Sequence, residues 1–212
     1  MKKYSVLLLS MLFALNLQAD TVYEDAEDNT TNGWTVYDEV VGNAIDDNGT
    51  ATDGLITNVY DAERGSRVIS FNGTGLNNGY MLGFPGGWGN PNAWNNTTEK
   101  TLTWSMKYNQ TDNDVENANN TYNEDYIIYV SVQTPKGHRL LAYTNSDENN
   151  GISFGTIHHG LGSGSSNGTW QTFTRDLEAD LKDFDPDNNI TSVDAFKIRG
   201  SGRIDDIKLL AD

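Results

Sequence analysis

Thr101-Leu102-Thr103-Trp104-Ser105-Met106-Lys107-Tyr108 alternates polar and apolar side chains without a break. Period two marks a strand with one buried face, so Leu102, Trp104, Met106 and Tyr108 are predicted to enter a core, with Thr103, Ser105 and Lys107 opposite. The same reading of Asp125–Gln133 groups Tyr126, Ile128, Val130 and Val132, and places Ile127, Tyr129, Ser131 and Gln133 on the other side. Near the C-terminus Phe196 and Ile198 part from Lys197 and Arg199 in the same way. Between His138 and Tyr143 the parity is open, with Arg139, Leu141 and Tyr143 in one row.

Outward from these segments, short β-rich runs recur with Gly, Asn and Asp between them. Strands are predicted near Trp34–Tyr37, Leu55–Tyr60, Arg67–Phe71, Gly79–Gly83, Thr101–Tyr108, Asp125–Thr134, His138–Thr144, Ile152–Ile157, Thr169–Arg175, Val193–Arg199 and Arg203–Leu209. That series is an all-β sandwich. Asn48-Gly49, Asn72-Gly73 and Asn167-Gly168 suit tight turns that need positive φ. A single short helix is expected over 177–183, and the polar stretch Asn109–Glu124 reads as a loop between two strong strands.

Lys2 and Lys3 precede an apolar run from Val6 to Leu17 that ends at Leu17-Gln18-Ala19 before Asp20. This is read as a signal peptide cleaved near Ala19, which predicts a secreted protein, extracellular or periplasmic, with one domain over 20–212. The run is short for a membrane span. With 0 cysteines the chain has neither a disulfide framework nor a lipid-anchoring cysteine. Two of the 14 basic residues and none of the 30 acidic ones fall in the leader, leaving 12 against 30, a net charge of −18. Such a charge argues against nucleic acid as a partner and against anionic membrane. It leaves solubility and divalent-cation binding as its two readings.

The ends of the mature chain carry a further pattern. Tyr23-Glu24-Asp25-Ala26-Glu27-Asp28 runs on to Gly33-Trp34, and Arg203-Ile204-Asp205-Asp206-Ile207-Lys208-Leu209 closes the chain. This bracket resembles the first and last strands of jelly-roll, galactose-binding-like carbohydrate-binding modules. The resemblance implies a two-sheet antiparallel jelly roll with adjacent terminal strands. It also implies a structural calcium ion (Ca2+) held by acids from both ends: Glu24, Asp25 or Glu27 with Asp205 or Asp206. The function it implies is non-catalytic polysaccharide binding.

Sugars present flat C–H faces and rings of hydroxyls, which aromatic planes and hydrogen-bonding cations fit. If the alternating strands share one sheet, its outer face gathers Lys107, Tyr129, Arg139, Tyr143, Lys197 and Arg199 as a ligand site for a neutral or uronic polysaccharide. The alternative is that these cations neutralise nearby acids. Trp88 and Trp94, in a Gly-, Pro- and Asn-rich loop, are either displayed for stacking or folded back as a plug. His158 is placed beside the binding face. His158 and His159 are adjacent on a strand and point to opposite faces, so the pair does not chelate one metal.

Signatures of jelly-roll glucanases and alginate lyases are absent, although His158, Tyr129 and Arg139 would supply a lyase with base, acid and carboxylate neutraliser. A secreted adhesive or matrix protein is the remaining alternative, and the oligomeric state is open.

Overall fold

The computed structural model describes residues 19–38, 55–72, 78–84, 91–108 and 125–211. Residues 1–18 of the leader, Asn48-Gly49, Gly73, Trp88 and the loop 109–124 lie outside the described residues. Two sheets face each other across one core. The terminal sheet has the order β11 (Gln171–Asp176), β6 (Thr101–Lys107), β13 (Gly202–Leu210), β4 (Ser66–Asn72), β3 (Leu55–Asp61), with β1 (Thr21–Glu24) also pairing with β13. The terminal strands therefore lie side by side, Thr21 opposite Leu209.

The second sheet runs β2 (Trp34–Asp38), β5 (Asn78–Gly83), β12 (Ser192–Arg199), β7 (Ile127–Gln133), β8 (Arg139–Thr144), β10 (Thr156–Gly160), β9 (Gly151–Ser153). The stretch expected as one strand over Ile152–Ile157 is a hairpin, β9 and β10, because Phe154 and Gly155 take positive φ and reverse the chain. That reversal brings β10 beside β8 in parallel, the one departure from antiparallel pairing among the described strands.

The expected inward rows form the core. Leu102, Trp104 and Met106 from β6 face Ile128, Val130 and Val132 from β7 and Phe196 and Ile198 from β12, all fully buried. Trp104 sits at the centre, its ring 5.6 Å from Tyr143, 5.6 Å from Phe173 and 5.9 Å from Phe196. The helix α1 (Leu177–Phe184) closes one end and buries Leu177 and Leu181. Its N-cap is Asp176, whose side chain accepts from the Ala179 N–H at 3.0 Å.

Glycine is obligatory where β10 leaves the sheet. A Cβ at Gly160 would stand 2.3 Å from the Ser146 carbonyl oxygen, a backbone atom that cannot swing aside, whereas one at Gly164 meets nothing within 4 Å. Gly160→Ala is expected to cost about 1–3 kcal/mol in urea unfolding, and Gly164→Ala to leave the midpoint where it is.

Candidate functional site

The cross-strand register fixes what shares a face. On the outer side of the second sheet, Thr35 pairs with Met81, Met81 with Lys197, Lys197 with Tyr129, Tyr129 with Ala142 and Ala142 with His158. Two residues along the strand, and so on the same face, Arg199 lies opposite Ile127 and Gly79. Tyr129, Lys197 and Arg199 therefore gather on one face, where the alternation puts them, and His158, expected in a loop beside that face, lies on strand β10 within it. The Lys197 Nζ stands 5.8 Å from the Tyr129 ring centroid, a cation–π arrangement. Tyr129 keeps 9% of its surface and, with Ile127 and Ala142, forms a small apolar patch on which Leu140 packs.

Arg199 differs from its neighbours. Its Nε is buried with no hydrogen-bond partner, and no acid among the described residues meets its guanidinium. An unsatisfied cationic donor costs free energy, which a ligand oxygen would recover. Burial, with His159 beside it, lowers the His158 pKa, so its imidazole is neutral near pH 7.

Three expected members are elsewhere. Lys107 lies on β6 in the terminal sheet and pairs there with Glu63, because alternation gives the face of a strand but not its sheet. Tyr143 pairs with Ile128, so its row turns inward; it is fully buried and its hydroxyl donates to Asp180 Oδ2 at 2.6 Å. Arg139 follows the same inward row to the sandwich end, where Asp185 takes its Nη2 at 3.1 Å and Lys136 at 2.7 Å. For Arg139 and Lys107 the neutralising alternative is the observed one.

Trp94 is folded back. It stacks on Tyr23 with centroids 3.6 Å apart and planes at 13°, and packs against the core. Its loop is tied down where the Trp94 N–H meets the Asp194 carbonyl at 2.8 Å. A cleft of about 560 Å³ opens beside it, lined by Thr35, Phe84, Asn92 and Trp94 among others.

The five acids named for calcium do not share an oxygen cage. Glu24 accepts the Ala26 N–H at 2.7 Å and the Trp34 indole N–H at 2.6 Å; burial raises its pKa against these two donors. Asp25 accepts the Glu27 N–H, and Glu27 the Arg67 N–H, both on exposed surface. Asp205 and Asp206 are bridged by Arg64, whose Nε reaches Asp205 at 2.9 Å and whose Nη2 reaches Asp206.

Arg64 is positioned by Asp61, which the sequence reading missed because the two partners Arg64 and Asp205 lie 141 residues apart. Asp61 Oδ1 accepts the Glu63 and Arg64 N–H groups at 2.9 and 3.0 Å, and Oδ2 accepts from Arg203. Burial opposes ionisation of Asp61, but those donors outweigh it and hold the pKa down at about 2.

No family model matches the sequence, and no curated protein matches it. Solved structures that it resembles include carbohydrate-binding modules, an adhesin domain and the enzymatically active domain of a bacteriophage CBA120 tailspike protein. A Clostridium thermocellum endo-1,4-β-D-xylanase fragment in complex with xylohexaose shares 11% identity at a TM-score of 0.45 over 92% of this chain, which spans 29% of that longer one. A xylan-binding domain of carbohydrate-binding family 22 shares 12% at 0.44, with 91% of this chain and 96% of that one covered. The K3 adhesin domain of Lys-gingipain from Porphyromonas gingivalis shares 11% at 0.43, over 91% and 100%. At identities of 11–12% and TM-scores of 0.43–0.45 these likenesses carry no argument about this chain.

Two outcomes are expected at the terminal bracket. Asp61 has a folded pKa below the ordinary carboxylate value of about 3.9, so its stabilisation is present above that value and lost as pH falls toward 2. Asp61→Asn should therefore cost about 2 kcal/mol at pH 7 and nothing near pH 2, read by urea unfolding across pH. Arg64→Met should cost about 3 kcal/mol by leaving Asp205 buried and unpaired, and Ca2+ titrated into metal-free protein, read by the thermal midpoint, tests the terminal acids separately. A calcium-dependent rise would return the terminal acids to the role the resemblance gives them.

Proposed function

We propose that the protein is a secreted, non-catalytic polysaccharide-binding module that holds its glycan on the outer face of the second sheet. Arg199 carries this reading: a guanidinium with a buried, unpartnered Nε, placed on the sheet face that also holds Tyr129 and Lys197. Arginine's fork pairs two oxygens at once, so it suits a uronic carboxylate or a pair of ring hydroxyls. Tyr129 and Ile127 keep only 9% and 7% of their surface, so they contribute an apolar rim beside the cations and not a stacking platform. His158, two strands beyond Tyr129, extends the row in the direction a chain would run.

Affinity electrophoresis against neutral and uronic polysaccharides, with reducing-end and unsaturated-product release followed in the same samples, tests this reading. Retardation without product is expected. Arg199→Ala should weaken it about tenfold, the worth of one charge-assisted hydrogen bond, and Lys197→Ala should weaken it further for a uronic chain alone. Undiminished retention of a folded Arg199→Ala, Lys197→Ala double variant would remove this face, and product release would make the protein an enzyme.

A further inference from the structure

Beneath β10, on the side away from the proposed glycan face, one imidazole is in an unresolved electrostatic position. His159 is 1% exposed, and its Nε2 lies 3.1 Å from the backbone carbonyl of Asp180 in α1. A carbonyl only accepts, so Nε2 carries the proton and Nδ1 of the neutral ring is a bare lone pair. Nδ1 is buried with no hydrogen-bond partner. What it faces is another acceptor, Asp183 Oδ2 at 4.0 Å. Two lone pairs turned toward each other across a gap of that width call for a cation between them.

The surroundings limit which cation. His159 packs against the rings of Tyr143 and Phe184, at 5.7 and 5.8 Å between centroids, and the Asp183 carboxylate stands 4.0 Å from Nδ1. Asp180 is close enough to be a third ligand: one nitrogen and two carboxylate oxygens from His159, Asp180 and Asp183 all lie within 4.8 Å of one another. Its carboxylate takes two bonds from Arg175 and one from Tyr143, and a carboxylate has about four acceptor sites, so one remains.

We propose that His159, Asp183 and Asp180 form a binding site for a borderline divalent transition metal, with Zn2+ its best fit, that staples α1 to β10. An imidazole nitrogen with carboxylate oxygens selects zinc over calcium or magnesium, which take oxygen alone. Zinc bonds of about 2.0–2.2 Å need the two facing ligand atoms about 3.4 Å apart in tetrahedral geometry. Asp183, with 54% of its side chain exposed, closes that difference by a small rotation and gives the ion its way in from solvent. Water fills the fourth position. Because His158 lies next along β10 on the glycan face, the staple also fixes the strand that presents it.

The test is titration of ZnCl2 into metal-stripped, tag-free mature protein, followed by calorimetry and thermal unfolding, with Co2+ absorption as a report on coordination. Expected are a one-to-one heat, a higher thermal midpoint with Zn2+ and none with Ca2+ or Mg2+, and the visible bands of tetrahedral nitrogen–oxygen Co2+. Asp183→Asn should weaken Zn2+ at least about tenfold while the protein stays folded, since that side chain is on the surface. His159→Asn should abolish binding and His158→Asn should leave it intact. Absence of a saturable heat, or Asp183→Asn binding like the parent, would overturn the site, and the Asp183 variant decides it even if His159→Asn does not fold. Glycan retardation is measured separately, so the loss of either function leaves the other readable.

Discussion

Arg64 reaches from the turn between β3 and β4 to the irregular part of β13, and the terminal sheet depends on that one side chain. β13 is central, pairing with β6 along its length, with β4 at its start and with β1 at its end. Its register slips between Asp205 and Lys208, and Asp206 takes φ 55°. A bulge there lets β13 change partners, and it leaves two adjacent carboxylates crowded at the kink. Arg64 takes both, adds Ser105 on β6 at 3.0 Å, and lies over the Trp170 ring at 5.1 Å. One guanidinium thus ties the turn, the bulge and the neighbouring strand together. Burial raises the Asp205 pKa and Arg64 pulls it back, so the pair is costly to break although its net worth when intact is modest.

What the sequence makes legible follows from what alternation can encode. β6 and β7 each have one uniformly apolar face, and their inward rows are where period two puts them; in β12 the alternation holds for Phe196 and Ile198, while a bulge between Val193 and Ala195 turns Val193 into the same core. β8 has apolar residues on both faces, Leu140 and Ala142 outward, Leu141 and Tyr143 inward, so nothing local fixes its parity. Its side is decided by pairing with β7. Lys107 shows the second limit: a residue's face is a local property and its sheet a global one. Tyr129, Lys197 and Arg199 come together because two neighbouring strands happen to carry them in register. The side-chain links that hold the frame, Asp61 to Arg203 or Tyr143 to Asp180, span 142 and 37 residues and leave no periodic trace.

The adjacent histidines illustrate the same point from the other direction. Their opposite orientation is legible from strand geometry alone, and it correctly separates them. What sequence does not carry is that α1 packs across β10 and presents the Asp180 carbonyl and the Asp183 carboxylate to the inner ring. Spacing along α1 contributes: Asp180 and Asp183 are three apart and share a helix face. A metal-ligand search by motif looks for that spacing within one element, whereas here the third member comes from a strand 21 residues away.

Charge gives the last step. On a chain with 30 acids and 14 bases a cation that finds no partner is the exception, since anions are everywhere within reach. Arg64, Arg139, Arg175 and Arg203 each sit on aspartate, and Arg67 is held by the side chain and carbonyl of Asn58. Of the six arginines only Arg199 meets no acceptor among the described residues. Its strand position gives the reason: it is flanked across the sheet by Ile127 and Gly79, neither of which offers a side-chain oxygen. A surface this acidic repels anionic ligands at long range, so a uronic chain would be captured only where its charge is met at contact distance. An arginine left unpaired on an apolar patch supplies that contact without first having to break an ion pair, which is why the absence of a partner argues for a ligand there more strongly than the presence of positive charge does elsewhere.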